Sequence, residues 1–332
     1  MIRNFFLVTF RNISRHKAYT FINITGLAIG LAASLLILLW VQDELSYDRF
    51  HEKGDLIYRV EQDQSYSGQM YHVYVTPHPS GPVWKENIPE ITDQARVNRL
   101  PRVLFRRDDK VFFESSLIAS DSGLFRMFTF PLVLGDPENL LNSPYSIVLT
   151  EKLAKKYFGD ENPLGKTITA ENRYQLMVTG VMKDIPGNSI FTFEGVIPYS
   201  FMNEIGAVSE SWGSNSILTF VELQGNADIE AVNKKLTDIV IEHNPRTLSK
   251  FMVFPFLDIH LHTQFGFKET RGPVIALWIF SVIAVFILLI ACINFINLST
   301  AKASARARET GIRKVLGADR KTMIFHFMSE ST

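Results

Sequence analysis

The chain has 332 residues, and its 34 basic and 34 acidic side chains give a formal net charge of zero. A single cysteine, Cys292, excludes any disulfide within the chain, so a folded domain must rest on its hydrophobic core. The charges are unevenly placed, because residues 1–17 contain four basic and no acidic side chains and residues 301–332 contain seven basic and three acidic ones. The middle of the chain has a net charge of −8, which fits a membrane topology and argues against a nucleic-acid partner.

Residues 1–17 are predicted to form a short amphipathic segment on the cytoplasmic side of a membrane. Apolar side chains from Ile2 to Ile13 fall near helical spacing, and Arg3, Arg11 and Lys17 stand between and after them. This pattern is typical of a helix that lies in the membrane interface. The alternative interpretation is a basic flank that only orients the next helix.

The first uncharged stretch, residues 18–42, is long enough to cross a bilayer and predicts a first transmembrane helix. A cleaved signal peptide would have a shorter apolar core and a small-residue cleavage site, which LLILLWVQDE lacks. Gly26, Gly30 and Ser34 recur at every fourth position and predict a helix-packing stripe, since small residues let another helix approach closely. The alternative is that glycine is simply common in membrane helices.

Residues 43–272 are predicted to form an external domain of mixed secondary structure. Strands and helices alternate in pieces too short for a doubly wound sheet, which indicates an α+β membrane protein whose external domain has two mixed subdomains. The hairpin across Asp108 and Asp109 follows from strand-like runs on both sides of a turn. The predicted strands are 56–64, 70–75, 94–107, 110–118, 146–150, 166–170, 174–185, 217–223, 252–257 and 259–262, and the clearest helices are 151–157 and 228–241. The second helix has one apolar face, formed by Ile229, Val232, Leu236, Ile239 and Val240.

Two patterns in this domain resemble binding sites, but their surroundings in the sequence argue against that function. GDENPLGKT, from Gly159 to Thr167, resembles a phosphate-binding loop, but Asp160 replaces the first glycine, a helix is predicted before it and a strand after it. His260 and His262 would share a strand face and could pair on a metal, but no further ligand at matching spacing supports them, so a structural role is favoured. The sequence therefore predicts no enzyme, and no catalytic, cofactor or metal site.

A second apolar run predicts a transmembrane helix over residues 273–300. No Lys, Arg, Asp or Glu lies between Arg271 and Lys302, which leaves room for a helix of about 45 Å against about 30 Å of hydrocarbon. The run exits into clustered Lys and Arg, so residues 301–332 are predicted to be cytoplasmic. Both chain ends are then cytoplasmic, and the middle domain lies on the opposite side of the membrane.

The basic tail combines charged and apolar residues on one predicted helix. Attraction to acidic lipid explains the basic residues but needs neither Glu309 nor the apolar side chains, so docking on another protein is favoured over it. The predicted docking residues are Arg308, Glu309, Gly311, Ile312, Arg313, Lys314, Leu316 and Gly317.

Long strings throughout the chain resemble the MacB/FtsX/LolC-type ABC transporter permeases. They include FRNISRHKAYTFINITGLAIGLA, YDRFHEKGDLIYRV, SIVLTEKLAKKYFGDENPLGKTI, VTGVMKDIPGNSIFTFEGVIP and ACINFINLSTAKASARARETGIRKVLGA. The resemblance implies a protein of the bacterial inner membrane, with a MacB-like periplasmic core domain of two subdomains between the first helix and the start of an FtsX-like permease domain. It also implies that residues 301–332 dock on a separate cytoplasmic ABC ATPase subunit.

The resemblance further implies how such a permease works and with what. Family members transmit ATP-driven motion to the periplasm, as dimers of two permease copies in contact with lipid, and some use a periplasmic adaptor and an outer-membrane channel. Family permeases carry two more membrane helices after the docking segment, and this chain stops where the third is expected, which indicates a fragment or a truncated product. Two alternatives stay open: a two-helix extracytoplasmic sensor, and an FtsX-like regulator of cell-wall hydrolases without transport.

Overall fold

The structure is a computed structural model that describes residues 17–66, 68–263 and 273–315. The chain divides into two compact units, Met1–Asp43 with Ile275–Thr332, and Glu44–Val274. The interfacial segment predicted over residues 1–17 lies outside the described residues except for Lys17, which begins the first helix.

Eight helices and fourteen strands are found among the described residues. The helices are α1 (Lys17–Leu45), α2 (Ser80–Asn87), α3 (Gly123–Met127), α4 (Glu151–Phe158), α5 (Tyr199–Glu204), α6 (Ile229–His243), α7 (Ile259–His262) and α8 (Val274–Val315). The strands are β1 (Ile57–Tyr66), β2 (Gln69–Val73), β3 (Thr76–Pro77), β4 (Ile91–Arg99), β5 (Val103–Arg107), β6 (Lys110–Glu114), β7 (Leu117–Ser120), β8 (Leu132–Gly135), β9 (Ser146–Thr150), β10 (Thr167–Ala170), β11 (Tyr174–Met182), β12 (Gly195–Pro198), β13 (Asn215–Leu223) and β14 (Lys250–Pro255).

The helical unit contains α1 and most of α8, and each includes a stretch long and apolar enough to cross a membrane. These stretches are Ile24–Leu45 and Val274–Asn297, with mean hydropathies of 2.4 and 3.1. Large apolar side chains on both helices are exposed, among them Leu36 at 67% and Trp278 at 68%. Such an apolar surface is solvated poorly by water and well by lipid tails. The prediction of two transmembrane helices is therefore confirmed.

The other unit is built on a mixed sheet. Eleven strands follow one another in the order β14-β1-β13-β4-β7-β12-β9-β11-β10-β5-β6, and β2, β3 and β8 pair with β1, β13 and β11. The β7–β12 and β9–β11 pairs are parallel, and the remaining pairs are antiparallel. The predicted α+β class is therefore confirmed, and the strands form one continuous hydrogen-bonded order.

At the β14–β4 end of the sheet, α2 and α6 cover one hydrophobic core. Asp228 caps α6, because its Oδ1 accepts a hydrogen bond from the backbone N–H of Glu230 at 3.0 Å. Val232 and Leu236, one turn apart on α6, are fully buried, and so is Trp84 of α2. The apolar period of residues 228–241 thus predicted both the helix and its buried face.

A second core lies under α4 and α5, toward the β10 end of the sheet. Thr150 caps α4 with an Oγ1 that accepts the Leu153 N–H at 3.2 Å, and Leu153 and Tyr157 of α4 are buried. Between the two ends lies a third cluster rich in phenylalanine, made by Phe128, Phe130, Phe191, Phe193, Phe220 and Phe256. Each end of the sheet thus has its own core, within the one compact unit Glu44–Val274. The division into two subdomains stays a prediction.

Three predicted strands are wrong in detail. Residues 110–118 divide into β6 and part of β7, because β6 pairs with β5 whereas β7 pairs with β4 and β12. Residues 94–107 form two strands, β4 and β5, because Pro101 has no N–H to donate and interrupts the ladder between them. The predicted strand 259–262 is the short helix α7, so His260 and His262 do not share a strand face. The hairpin across Asp108 and Asp109 is confirmed, with Arg107 paired to Lys110 and Asp108 at a φ of 51°.

The start of α3 packs directly on the backbone of β4. A Cβ at Gly123 would lie 1.9 Å from the Gln94 carbonyl oxygen, which is fixed in the sheet. We therefore expect Gly123→Ala to lower the free energy of unfolding of the external domain by about 3 kcal/mol, as overpacking does. Gly187→Ala is the matched control, since a Cβ there meets nothing within 4 Å. Equal unfolding midpoints of the two variants in a denaturant titration would contradict this packing.

Candidate functional site

The predicted docking residues lie on the continuation of a membrane helix. α8 is one helix of 42 residues, about 63 Å at 1.5 Å per residue, and only Val274–Asn297 forms its apolar span. The helical backbone therefore continues from the span into the charged segment without a break. Leu316 and Gly317 lie outside the described residues. The docking residues within α8 are Arg308, Glu309, Gly311, Ile312, Arg313 and Lys314.

The small-residue stripe of α1 faces α8 inside the helical unit. A Cβ built on Gly30 would lie 2.7 Å from the Cβ of Ala291, so any larger residue there forces a shift. Ser34 is buried and its Oγ donates to the Ala284 carbonyl at 3.1 Å, while a Cβ on Gly26 would make an ordinary 3.5 Å contact with Asn294. All three stripe residues thus lie along the α1–α8 contact, and Gly30 is its tightest point.

A buried carboxylate holds the turn that follows α1. Asp48 has a φ of 57° and is almost fully buried. Its Oδ1 accepts a hydrogen bond from the Ser189 hydroxyl at 2.6 Å, and its Oδ2 accepts the Ile190 N–H at 3.1 Å. Burial raises the pKa of Asp48, and these hydrogen bonds oppose the rise because they stabilise the carboxylate. The turn is therefore tied to residues about 140 positions later in the chain.

Glu44, Tyr47 and His260 form a second tie, which we call the entry clamp. His260 Nε2 lies 2.6 Å from the Glu44 carboxylate, and its ring stacks on Tyr47 with 3.4 Å between centroids and 2° between planes. His262 lies 3.8 Å from Asp258 instead. His260 thus contacts a carboxylate and an aromatic ring, and no group of three metal-ligating side chains is found among the described residues.

The entry clamp joins the segments that lead from one predicted span and toward the other. Glu44 belongs to the last turn of α1, and His260 belongs to α7, the last described element before α8. Sequence reasoning missed this pair, since no local period relates residues 216 positions apart. The available signal was the histidine pair His260 and His262 in the sequence LDIHLH.

His51 is a histidine enclosed by phenylalanine rings. The rings of Phe128, Phe130 and Phe256 lie 5.2 to 5.4 Å from its centroid, and its Nδ1 accepts the Thr129 N–H at 3.0 Å. Burial lowers the pKa of His51 to about 4, because the charged imidazolium loses its hydration. His51 is therefore neutral at physiological pH and anchors the turn as a core residue.

A charged cluster lies on the β1–β2 hairpin. His72 on β2 is 2.6 Å from the Glu61 carboxylate and 2.8 Å from the Asp63 carboxylate, both on β1. Glu61 is 1% exposed and also pairs with Arg59, whose Nε donates at 2.9 Å. The Glu61 hydrogen bond is the main cause that raises the pKa of His72 to about 9. The hairpin thus contains a carboxylate held between two cations.

The phosphate-loop-like stretch has the surroundings that the sequence predicted. α4 ends at Phe158 before it and β10 begins at Thr167 after it, whereas a phosphate-binding loop follows a strand and opens a helix. Gly159 and Gly165 have positive φ angles of 63° and 74°, which a connecting turn requires. Its glycines therefore serve the chain reversal between α4 and β10.

Comparisons with known proteins agree with this architecture. A family model described as the MacB-like periplasmic core domain matches residues 20–239, and one described as the FtsX-like permease C-terminal matches residues 281–332. The chain is 28% identical over 187 residues to the uncharacterized ABC transporter permease YknZ of Bacillus subtilis, covering 55% of this chain and 43% of YknZ. It is also 28% identical over 204 residues to the macrolide export ATP-binding/permease protein MacB of Neisseria meningitidis serogroup A, covering 60% of this chain and 29% of that protein.

A solved domain of a permease protein from Porphyromonas gingivalis has the same fold. It superposes with a TM-score of 0.54 at 19% identity, covering 62% of this chain and 92% of that domain. The two curated relatives are longer proteins, of which this chain spans less than half.

Two apolar helices and an α+β domain inserted between them define an integral membrane protein with a large external domain. The chain belongs to the MacB/FtsX-type ABC transporter permeases, since the first family model alone covers well over half of it. It is therefore an inner-membrane permease chain with a periplasmic core domain, as the sequence predicted.

The entry clamp predicts energetic coupling between its partners. We expect Glu44→Gln and His260→Gln each to destabilise the periplasmic domain, and the double variant to be less destabilised than the sum by about 1 kcal/mol. The measurement is a double-mutant cycle of unfolding free energies. Additive effects, within about 0.3 kcal/mol, would show that the two side chains do not interact.

The His72 cluster predicts a loss of stability at alkaline pH. The pKa of His72 is raised from 6.5 to about 9 on folding, so its contribution is fully present below about pH 6.5 and is lost as pH rises through about 9. Allowing for partial exposure, we expect a loss of about 2 kcal/mol over this range. His72→Gln should remove that slope in pH-dependent unfolding curves, and His262→Gln, at a half-exposed histidine, should keep it.

Proposed function

We propose that this chain is the N-terminal part of a permease subunit that couples ATP hydrolysis by a cytoplasmic ABC ATPase to a conformational change of the periplasmic domain, and so to export. The observation that carries the proposal is the continuity of α8 from its apolar span to Val315. A force applied to the charged segment acts on a continuous helix, because an unbroken hydrogen-bonded backbone resists bending.

The charged segment supports an ATPase as the partner at the cytoplasmic end. Glu309, Ile312 and Arg313 have the i, i+3, i+4 spacing that brings side chains to one helical face. In the proposed complex the charged residues contact the ATPase and Ile312 enters a groove on its surface. Lys302 and Arg306 lie closer to the span, where excess positive charge supports a cytoplasmic location for this end.

The motion is proposed to reach the periplasmic domain through the α1–α8 contact and the entry clamp. The tight approach of Gly30 to Ala291 resists sliding between the helices, because the packed backbones leave no free space. The entry clamp ties the segment after α1 to the segment before α8, so displacement of one is transmitted to the other. In this proposal, the segments that follow α1 and precede α8 move together and so change the shape of the domain.

Export is the activity class that the relatives support, and two permease copies are the proposed assembly. The Neisseria meningitidis relative is described as a macrolide export ATP-binding/permease protein, although this chain spans only 29% of it. A periplasmic adaptor and an outer-membrane channel are further proposed partners, and they distinguish export from regulation of cell-wall hydrolases. Their presence or absence in the purified assembly decides between these two activities.

The docking proposal is tested by reversing one charge. Arg313→Glu should reduce the ATPase activity that co-purifies with the affinity-tagged chain from its native host by about tenfold, since losing a charged interface contact costs at least about 1.4 kcal/mol. The measurement is phosphate release per purified chain, with equal membrane insertion verified first.

Lys302→Glu is the matched control, because it makes the same charge change on the same helix outside the predicted docking residues. It should leave the co-purified activity unchanged. Equal losses of co-purified activity in both variants would indicate that the segment binds acidic lipid and not the ATPase. No loss with Arg313→Glu would contradict docking at this position.

A further inference from the structure

The periplasmic domain contains an apolar cavity that the proposed coupling does not use. It has a volume of about 350 Å³ and lies between the β5–β10 region of the sheet and α5 with the loop that follows it. Phe105, Leu176 and Ile197 form its floor from three strands, and all three are nearly fully buried. Phe201 and Met202 of α5 close one side. The walls of the cavity are therefore formed by side chains of the core under α4 and α5.

The cavity is open to solvent at its mouth, and most of the side chains that line it are apolar. Apolar side chains hold water only weakly, so an apolar ligand can displace the water there at little cost. A volume of 350 Å³ falls within the range of small-molecule sites, which begins at about 300 Å³.

The rim of the cavity has one basic side chain, Arg102, and one acidic side chain, Glu171, and Arg173 lies nearby in the chain. The Arg102 guanidinium lies 4.6 Å over the Phe113 ring and the Arg173 guanidinium lies 5.0 Å over the ring of Tyr174, which lines the cavity. Neither arginine forms an ion pair with a carboxylate in the part of the chain that the structure describes. Glu171 also lines the rim, but its Oε1 already accepts the Leu104 N–H at 2.6 Å.

We propose that this cavity binds an anionic amphiphile, with its acyl or similar apolar chain in the cavity and its acidic head at Arg102. The apolar floor favours the apolar chain of the ligand, because binding removes the apolar surface of that chain from water. The guanidinium of Arg102 selects a carboxylate or phosphate head, since a charge-assisted hydrogen bond forms best with an anion. A free fatty acid and an acyl chain of a membrane lipid share this chemistry. The site is independent of ATPase docking.

Photo-crosslinking of the full chain in lipid nanodiscs tests the proposal. The probes are a fatty acid of about ten carbons with a diazirine on its chain, the matching primary amine, and a phosphatidylglycerol with the same diazirine acyl chain. Mass spectrometry of the labelled peptides separates labelling at Leu176, Ile197 and Met202 from labelling of α1 and α8 by probe dissolved in the bilayer. The proposal expects cavity labelling by the acid or by the phospholipid, which identifies the source, and weak labelling by the amine.

Two variants and one control make the result decisive. Arg102→Glu should lower cavity labelling by the acid about tenfold. Arg246→Glu, the same change at an exposed residue before β14, should not alter it. Ala207→Trp narrows the exposed mouth and should block labelling while the unfolding midpoint stays unchanged. Absence of cavity labelling by both anionic probes, equal labelling by the amine, or labelling insensitive to Arg102→Glu would overturn the proposal.

Discussion

The inability of hydrocarbon to hydrogen-bond the backbone is the constraint on which this chain depends. A segment that crosses lipid must satisfy every N–H and C=O within itself, and a helix does so from end to end. In α8 the same pattern of hydrogen bonds continues past the apolar span as far as Val315. The structure that permits the crossing is therefore also a stiff connection between the span and the charged segment, and the proposed coupling uses this property.

A long helix can transmit force only if the domain it leads to is held at that end. Here the turn after α1 is fixed by the buried Asp48 carboxylate, which accepts hydrogen bonds from Ser189 and Ile190. His51 adds apolar contacts to the same turn within the phenylalanine cluster. The entry clamp then links Glu44 and Tyr47 to α7. Polar groups buried in this way hold one arrangement, because each alternative would leave them without partners.

The proposed coupling and the proposed ligand site lie at different places along the strand order of the periplasmic sheet. The β14–β4 end, with α2 and α6, includes the segments nearest in sequence to the entry clamp and packs around Trp84. The β7–β10 end, with α4 and α5, contains the apolar cavity. The two proposals therefore concern one domain but share no residue.

The sequence by itself determined the two apolar crossings, the α+β class, the hairpin at Asp108 and the buried face of α6, because each depends on a run, a period or a turn among neighbouring residues. It missed the break at Pro101, since the residues on both sides are strand-like. It also misassigned the helix at His260, where the apolar content fitted both strand and helix. Only the tertiary structure decided the contacts of His260 with Glu44, of His72 with Glu61, and of Arg102 with a cavity lined by several strands. These contacts depend on which distant segments the fold brings together, and the pattern of neighbouring residues does not determine that pairing.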